Sequence, residues 1–259
     1  MTEELLYDKR GDVAWLTFNR PQARNALTFA MYQGLAEVCE RIGKTREARV
    51  IVVTGAGDKA FAAGTDIAQF KDFKSGEDGI AYERKMDATL EIIERCPVPT
   101  IAAVAGFCTG GGIAIAGACD FRIAAANAQF GVPIARTLGN CLSMSNYARL
   151  VSLVGPQTVK EMLLLARMVD AQKALQAGLV MEVVPDTAAL HARAQEIAET
   201  LASHAPITMQ TTKEAMRRLQ ARLADENIDD LIRHTYASAD FREGMDAFLA
   251  KRPPRWTGR

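Results

Sequence analysis

Two loops in this sequence carry small residues where a backbone would meet a ligand. The first is DKAFAAGTDIAQF, residues 58–70, and the second is GFCTGGGIAIA, residues 106–116. Each joins an apolar, β-favouring run to a helical stretch. Small side chains let a ligand approach the backbone closely. A strand-to-helix turn leaves N–H groups without intrahelical acceptors. One such N–H from each loop can converge on a single carbonyl oxygen and stabilise the charge that develops as a thioester becomes enolate-like. The Gly110–Gly112 run alone serves equally well as a packing or turn feature, and the pair of loops is the more specific signal. No GK[ST] follows the glycines, so this is not a nucleotide P-loop. The GxGxxG spacing and the later ribose-binding acid of a dinucleotide site are also missing.

The elements around these loops read as α/β. β-Favouring runs lie at 13–19, 49–57, 100–107, 121–130 and 179–184, with helical stretches near 28–43 and 79–95. Alternation of this kind predicts largely buried sheets. Beyond about residue 187 the pattern is helical only, near 187–203, 206–222, 225–237 and 239–251. Pro206 suits a first helical turn and Ser238 an N-cap. We expect a core over 1–190 and a helical oligomerisation region over 191–259.

Composition narrows the partners. Lys plus Arg and Asp plus Glu number 31 each among 259 residues. That balance argues against nucleic acid or an acidic membrane as the main partner. Five scattered cysteines without CxxC spacing, and no apolar signal core at the start, predict free thiols in a cytoplasmic protein. His191, His204 and His234 have no ligand spacing, so no metal site is expected.

Taken together, LTFNRPQARNALT, VIVVTGAGDKAFAAGTDI, PVPTIAAVAGFCTGGGIAIAGACDFRIAAANAQFG and ASADFREGMDAFLAKRPPRWTGR make the chain resemble the enoyl-CoA hydratase/isomerase (crotonase) superfamily. The resemblance implies a spiral of ββα units followed by helices that build a homotrimer, often paired as a hexamer. It implies an acyl-CoA ligand, with coenzyme A as part of the substrate and no other cofactor. Carried over by motif, the oxyanion N–H donors fall on Ala63 and Gly111, with Gly64 and Asp66 beside them. Arg24, Phe248 and Lys251 match residues along the CoA path, and Lys213 is a further cation of this kind.

The sequence departs from the hydratase pattern at the acid–base positions. Of the two glutamates that hydratases use, one position is Ala114 here and the other falls on Ile134 or Ala135. Efficient hydration of a simple enoyl-CoA is therefore doubtful by this reading, since a positioned acid–base contributes about 10²–10⁴-fold in rate. Asp66, Glu83 and Arg136 are the charged candidates to replace them, Arg136 through bidentate binding of an acyl carboxylate. Asp66 and Asp120 also suit purely structural roles. Tyr82, His234 and Tyr236 lie on helices that can approach a pocket, and Asn140, Cys141 and Ser143 can line its acyl end. Cys108, Cys119 and Cys141 read as small apolar residues rather than nucleophiles. The other reading is a non-catalytic acyl-CoA-binding or scaffold subunit.

Overall fold

The computed structural model describes residues 3–259. In chain order it contains β1 (Leu5–Arg10), β2 (Val13–Phe18), α1 (Phe29–Thr45), β3 (Val50–Gly55), β4 (Ala60–Ala62), α2 (Gly76–Glu94), β5 (Thr100–Val104), β6 (Phe107–Thr109) and α3 (Gly111–Ala118). There follow β7 (Phe121–Ala125), β8 (Gln129–Gly131), α4 (Ile134–Thr137), α5 (Met144–Leu163), β9 (Val169–Asp170), α6 (Ala171–Gln176) and β10 (Glu182–Val184). The chain closes with α7 (Thr187–Ser203), α8 (Pro206–Ala221), α9 (Asp229–Ala237) and α10 (Ala239–Leu249).

The strands form two sheets. The larger has the order β1-β2-β3-β5-β7-β10 and the smaller β4-β6-β8-β9. β2, β3, β5, β7 and β10 run parallel, and β1 is antiparallel to β2. Successive passes place one strand in the large sheet, a short one in the small sheet, and then a helix: β3–β4–α2, β5–β6–α3 and β7–β8–α4. This is the expected spiral of ββα units.

The sequence pattern joins what the fold divides. Residues 100–107 and 121–130 each read as one strand, yet each is cut in two where the chain turns from the large sheet to the small one. Gly106 makes the first of these corners with φ +64, a conformation that favours glycine. Asn127 makes the second. It accepts from the Gly106 N–H at 3.1 Å and donates to Asp58 O at 2.8 Å, stacking three corners of the spiral. The sequence pattern gives no element between residues 131 and 178, where the chain forms α4, α5, β9 and α6, nor does it give the short strands β1 and β4; α5 breaks at Gly155–Pro156.

The large sheet is apolar on both faces. Ala14, Leu16, Ile51, Val53, Ala102 and Val104 point toward α1, α2 and the small sheet. Their neighbours Val13, Trp15, Val50, Val52, Ile101 and Ala103 point the other way, onto Leu190, Ala194 and Ala198 of α7. A division at residue 190 thus falls inside α7, which seals the back of the sheet and belongs to the core. α9 and α10 return over α2, packing Ile232, Tyr236, Phe241 and Met245 against Phe70, Ile80 and Leu138. α8 differs: it buries no residue within the chain. No helix among the described residues is long and apolar enough to cross a membrane.

Leu190 has 0% exposure. Leu190→Ala is expected to lower unfolding free energy in urea by about 2–5 kcal/mol, the usual range for truncating a buried leucine. A loss below about 1 kcal/mol would show that α7 is not part of the cooperative core.

Candidate active site

The spiral brings the two glycine loops side by side at the mouth of a cavity of about 490 Å³. The RNAL turn is the third side of this mouth. The buried Asn25 fixes it, donating to Ala56 O and Ala60 O and accepting from the Arg20 N–H.

The backbone around residue 64 decides which N–H groups are free. Leu27 and Thr65 form a parallel bridge, in which the Leu27 N–H donates to Gly64 O and the Asp66 N–H to Leu27 O. A bridged residue's neighbours carry these bonds, so the N–H of Thr65 itself faces away from Leu27. It has no acceptor among the described residues. The Ala63 N–H, by contrast, donates to Arg24 O at 3.1 Å. The donor expected at Ala63 is therefore already used, and the free one is two residues further on. Gly111 is the first residue of α3 and its N–H also lacks an acceptor among the described residues. Gly64 packs against Thr109, Gly110 and Gly111, bringing the two donor loops together. Gly111 is glycine for a steric reason: a Cβ there would collide with the Tyr32 phenol oxygen.

Beyond the donors the cavity is mostly apolar. Its lining includes Phe70, Met86, Leu90, Ala114, Ile134, Leu138 and Leu142. Of the two alternatives left open for the second glutamate position, Ile134 lines the cavity and Ala135 is exposed.

The cavity lining holds two carboxylates, Asp66 and Glu83. Asp66 is committed to structure. Its Oδ1 caps the short turn Ile67–Phe70 through the Ala68 N–H at 3.1 Å, and its Oδ2 pairs with Arg20 at 3.0 Å. Glu83 is 4% exposed. Its Oε1 accepts from the Tyr236 hydroxyl at 2.6 Å and its Oε2 from the Ser143 N–H at 3.1 Å. No cation pairs with it among the described residues. Burial pushes its carboxyl up from 4.5 to about 8, with the neighbouring Asp87 carboxylate adding to the rise and the two donors opposing it. Tyr236 is positioned in turn by Asn140, whose amide donates to its oxygen at 3.3 Å. Ser143 is fixed by donating from Oγ to Asp87 at 2.7 Å.

The remaining candidates divide clearly. Arg24 and Phe248 stand at the cavity mouth, the Arg24 guanidinium 5.3 Å from the Phe107 ring centroid. Lys251 is exposed and outside the lining, just past Phe248. Arg136 is exposed on α4 and turns away from the cavity, so the proposed acyl-carboxylate contact is not made there. Lys213 is tied to Val98 O and the Asp120 carboxylate, far from the CoA role suggested for it. Asp120 also accepts from both the N–H and the hydroxyl of Thr100. His234 is exposed. Burial raises the thiols of Cys108, Cys119 (to about 12) and Cys141 (to about 11), so none is a ready thiolate.

Two unpaired amide donors on adjoining loops, an apolar cavity and one buried carboxylate are the groups that proton transfer beside a polarised carbonyl requires. The chain belongs to the enoyl-CoA hydratase/isomerase family, whose profile matches residues 8–259. It is 36% identical to the short-chain-enoyl-CoA hydratase of Clostridium acetobutylicum, over 96% of this chain and 95% of that protein. An enoyl-CoA hydratase/carnithine racemase from Magnetospirillum magneticum superposes with TM-score 0.80 at 34% identity, covering 100% of this chain and 97% of that one. A methylmalonyl-CoA decarboxylase solved with 2-nitronate-propionyl-CoA superposes with TM-score 0.89 at 27% identity, covering 100% of both chains.

The Glu83 environment has a consequence for stability. The folded protein holds this proton up to about pH 8, whereas the unfolded chain releases it near 4.5. Between those values the unfolded state binds fewer protons, so this group's contribution, full below 4.5, is lost as pH rises through 8. Glu83→Gln removes the loss. The variant's advantage in unfolding free energy over wild type should grow from pH 5 to pH 8, by at most about 1.4 kcal/mol per pH unit. Parallel stability curves for the two proteins would contradict the assignment.

Proposed function

We propose that the protein processes an acyl-CoA thioester through an enolate-type intermediate, as a lyase or isomerase with Glu83 as its single acid–base. The observation that carries this reading is a buried, cation-free carboxylate in the same cavity as two unpaired amide donors. The thioester oxygen accepts from the N–H groups of Thr65 and Gly111. As charge moves onto that oxygen, Glu83 takes a proton from the carbon beside the carbonyl and returns it there or to a neighbouring carbon. A carboxyl poised near 8 serves both directions at neutral pH, which a normal, fully ionised glutamate does poorly. Tyr236 and the Ser143 amide hold it in place without neutralising it.

Ala114 and Ile134 stand at the family's two glutamate positions and present only hydrocarbon to the acyl group. Two-carboxylate activation of water is therefore not part of this reading. Family membership and the relatives' activities support the thioester as substrate. Coenzyme A enters as part of that substrate, its path running past Arg24 and Phe248, and no other cofactor is invoked.

The test is exchange of the α-protons of butyryl-CoA in D₂O, followed by mass spectrometry. Wild type should incorporate deuterium, faster as pH rises through about 8 because the carboxylate is the base. Glu83→Gln should exchange about 10²–10⁴-fold more slowly with binding retained. Undiminished exchange in the variant would mean that another group is the base. Binding without exchange in wild type would favour the scaffold reading.

The assembly is proposed on separate grounds. α8 and the turn after it expose Ile207, Met216, Leu219 and Leu223, each at least 59% accessible. Isolated chains rarely present so many apolar side chains together. A homotrimer or a pair of trimers would cover them, and sedimentation equilibrium should give three or six times the chain mass of 28.2 kDa. A monomer at micromolar concentration would refute this.

A further inference from the structure

Three hydroxyls meet beside the two amide donors. The Thr65 Oγ1 lies 2.9 Å from the Tyr32 hydroxyl and 2.8 Å from the Tyr82 hydroxyl. All three residues line the cavity. Neither phenol has another hydrogen-bond partner among the described residues, and Thr65 Oγ1 has only these two.

A proton count follows from this arrangement. Three hydroxyls carry three protons, and two hydrogen bonds use two of them. One O–H is therefore always without a protein acceptor, whichever way the chain is oriented. The Tyr32 end adjoins the Gly111 donor, because its oxygen occupies the space where a Gly111 Cβ would otherwise be. Tyr32 is 3% exposed and lines the cavity, the space into which a free proton on its hydroxyl can be offered.

We propose that Tyr32 is a third donor to the thioester oxygen, its O–H strengthened by a relay in which Tyr82 donates to Thr65 and Thr65 donates to Tyr32. This rests on the thioester reading above and goes beyond it, because the donors considered so far are both backbone amides. A hydroxyl that accepts one hydrogen bond becomes a better donor of the next. Burial raises both phenols, so they stay protonated across the working pH range and act as donors, not bases. Tyr32 is then a catalytic residue, and Thr65 and Tyr82 are positioning residues through their side chains. The relay also accounts for a threonine in the first loop, where a hydroxyl is needed between two phenols.

The test compares two ligands on three proteins. A saturated acyl-CoA, butyryl-CoA, carries a neutral carbonyl oxygen, while a 2-nitronate acyl-CoA carries anionic oxygen resembling the enolate. Tyr32→Phe keeps the ring and the Thr65–Tyr82 bond but removes the terminal donor. It should weaken nitronate binding about 10- to 100-fold, the range for a hydrogen bond to a charged group, and leave butyryl-CoA within about threefold. Tyr82→Phe should weaken the nitronate by a smaller factor, since it removes only the polarisation. The infrared carbonyl stretch of bound ¹³C=O butyryl-CoA should lie at higher frequency in Tyr32→Phe than in wild type. Equal weakening of both ligands, or no selective loss and an unmoved stretch, would overturn the proposal. Failure of wild type to bind butyryl-CoA would instead refute the thioester reading on which it rests.

Discussion

A carboxyl group with almost no contact with water is held at the centre of this protein, and much of the fold is arranged to keep it there. Glu83 comes from α2, the Tyr236 phenol from α9 and the Ser143 amide from the segment that leads into α5. Transferring an ionised carboxylate out of water costs several kcal/mol even after relaxation. The protein resolves this by raising the proton affinity and supplying two donors, without a cation to lock the charge. A lysine or arginine partner would have stabilised the group at the expense of its proton exchange. Arg149 pairs with Glu94 instead, about three turns further along α2 and outside the cavity lining.

The apolar lining and the polar donors divide the cavity between two tasks. In the proposed reaction the N–H groups and hydroxyls around Thr65 and Gly111 act on one oxygen. Ile134, Leu138, Leu142, Met86 and Leu90 form the apolar part of the lining, where the proposed acyl group would be shielded from water. Excluding water strengthens each hydrogen bond to a developing charge. The side chains Ala114 and Ile134 then have a positive role, since they complete the dry part of the site. One acid–base in such surroundings favours moving a proton between carbons over capturing a water molecule.

Much of this could be read from residues alone. The glycine-bearing loops, the parallel strands and the C-terminal helices have local signatures, and the combined motifs carry the family. What the sequence hid depends on long-range geometry. Whether Ala63 or Thr65 offers a free N–H is settled by a bridge to Leu27, which no pattern within the loop encodes. Glu83 is one of many acids on an amphipathic helix, and only the return of α9 turns it into a buried one. Arg136 is two residues from Ile134 in sequence, yet α4 leaves it exposed and outside the cavity lining. The strand divisions at Gly106 and Asn127 were masked by apolar runs that continue across the corners.

Tyr236 follows Glu83 by 153 residues, and that order matters for a protein made from its N-terminus. A ribosome releases both glycine loops and Glu83 long before α9 emerges. A nascent chain from which α9 has not yet emerged lacks the phenol that donates to Glu83 Oε1. The carboxylate acquires its full set of partners only once the last helices have folded back over α2. The surroundings of this carboxyl are thus assembled from residues 153 positions apart, and they are complete only when α9 has packed onto α2.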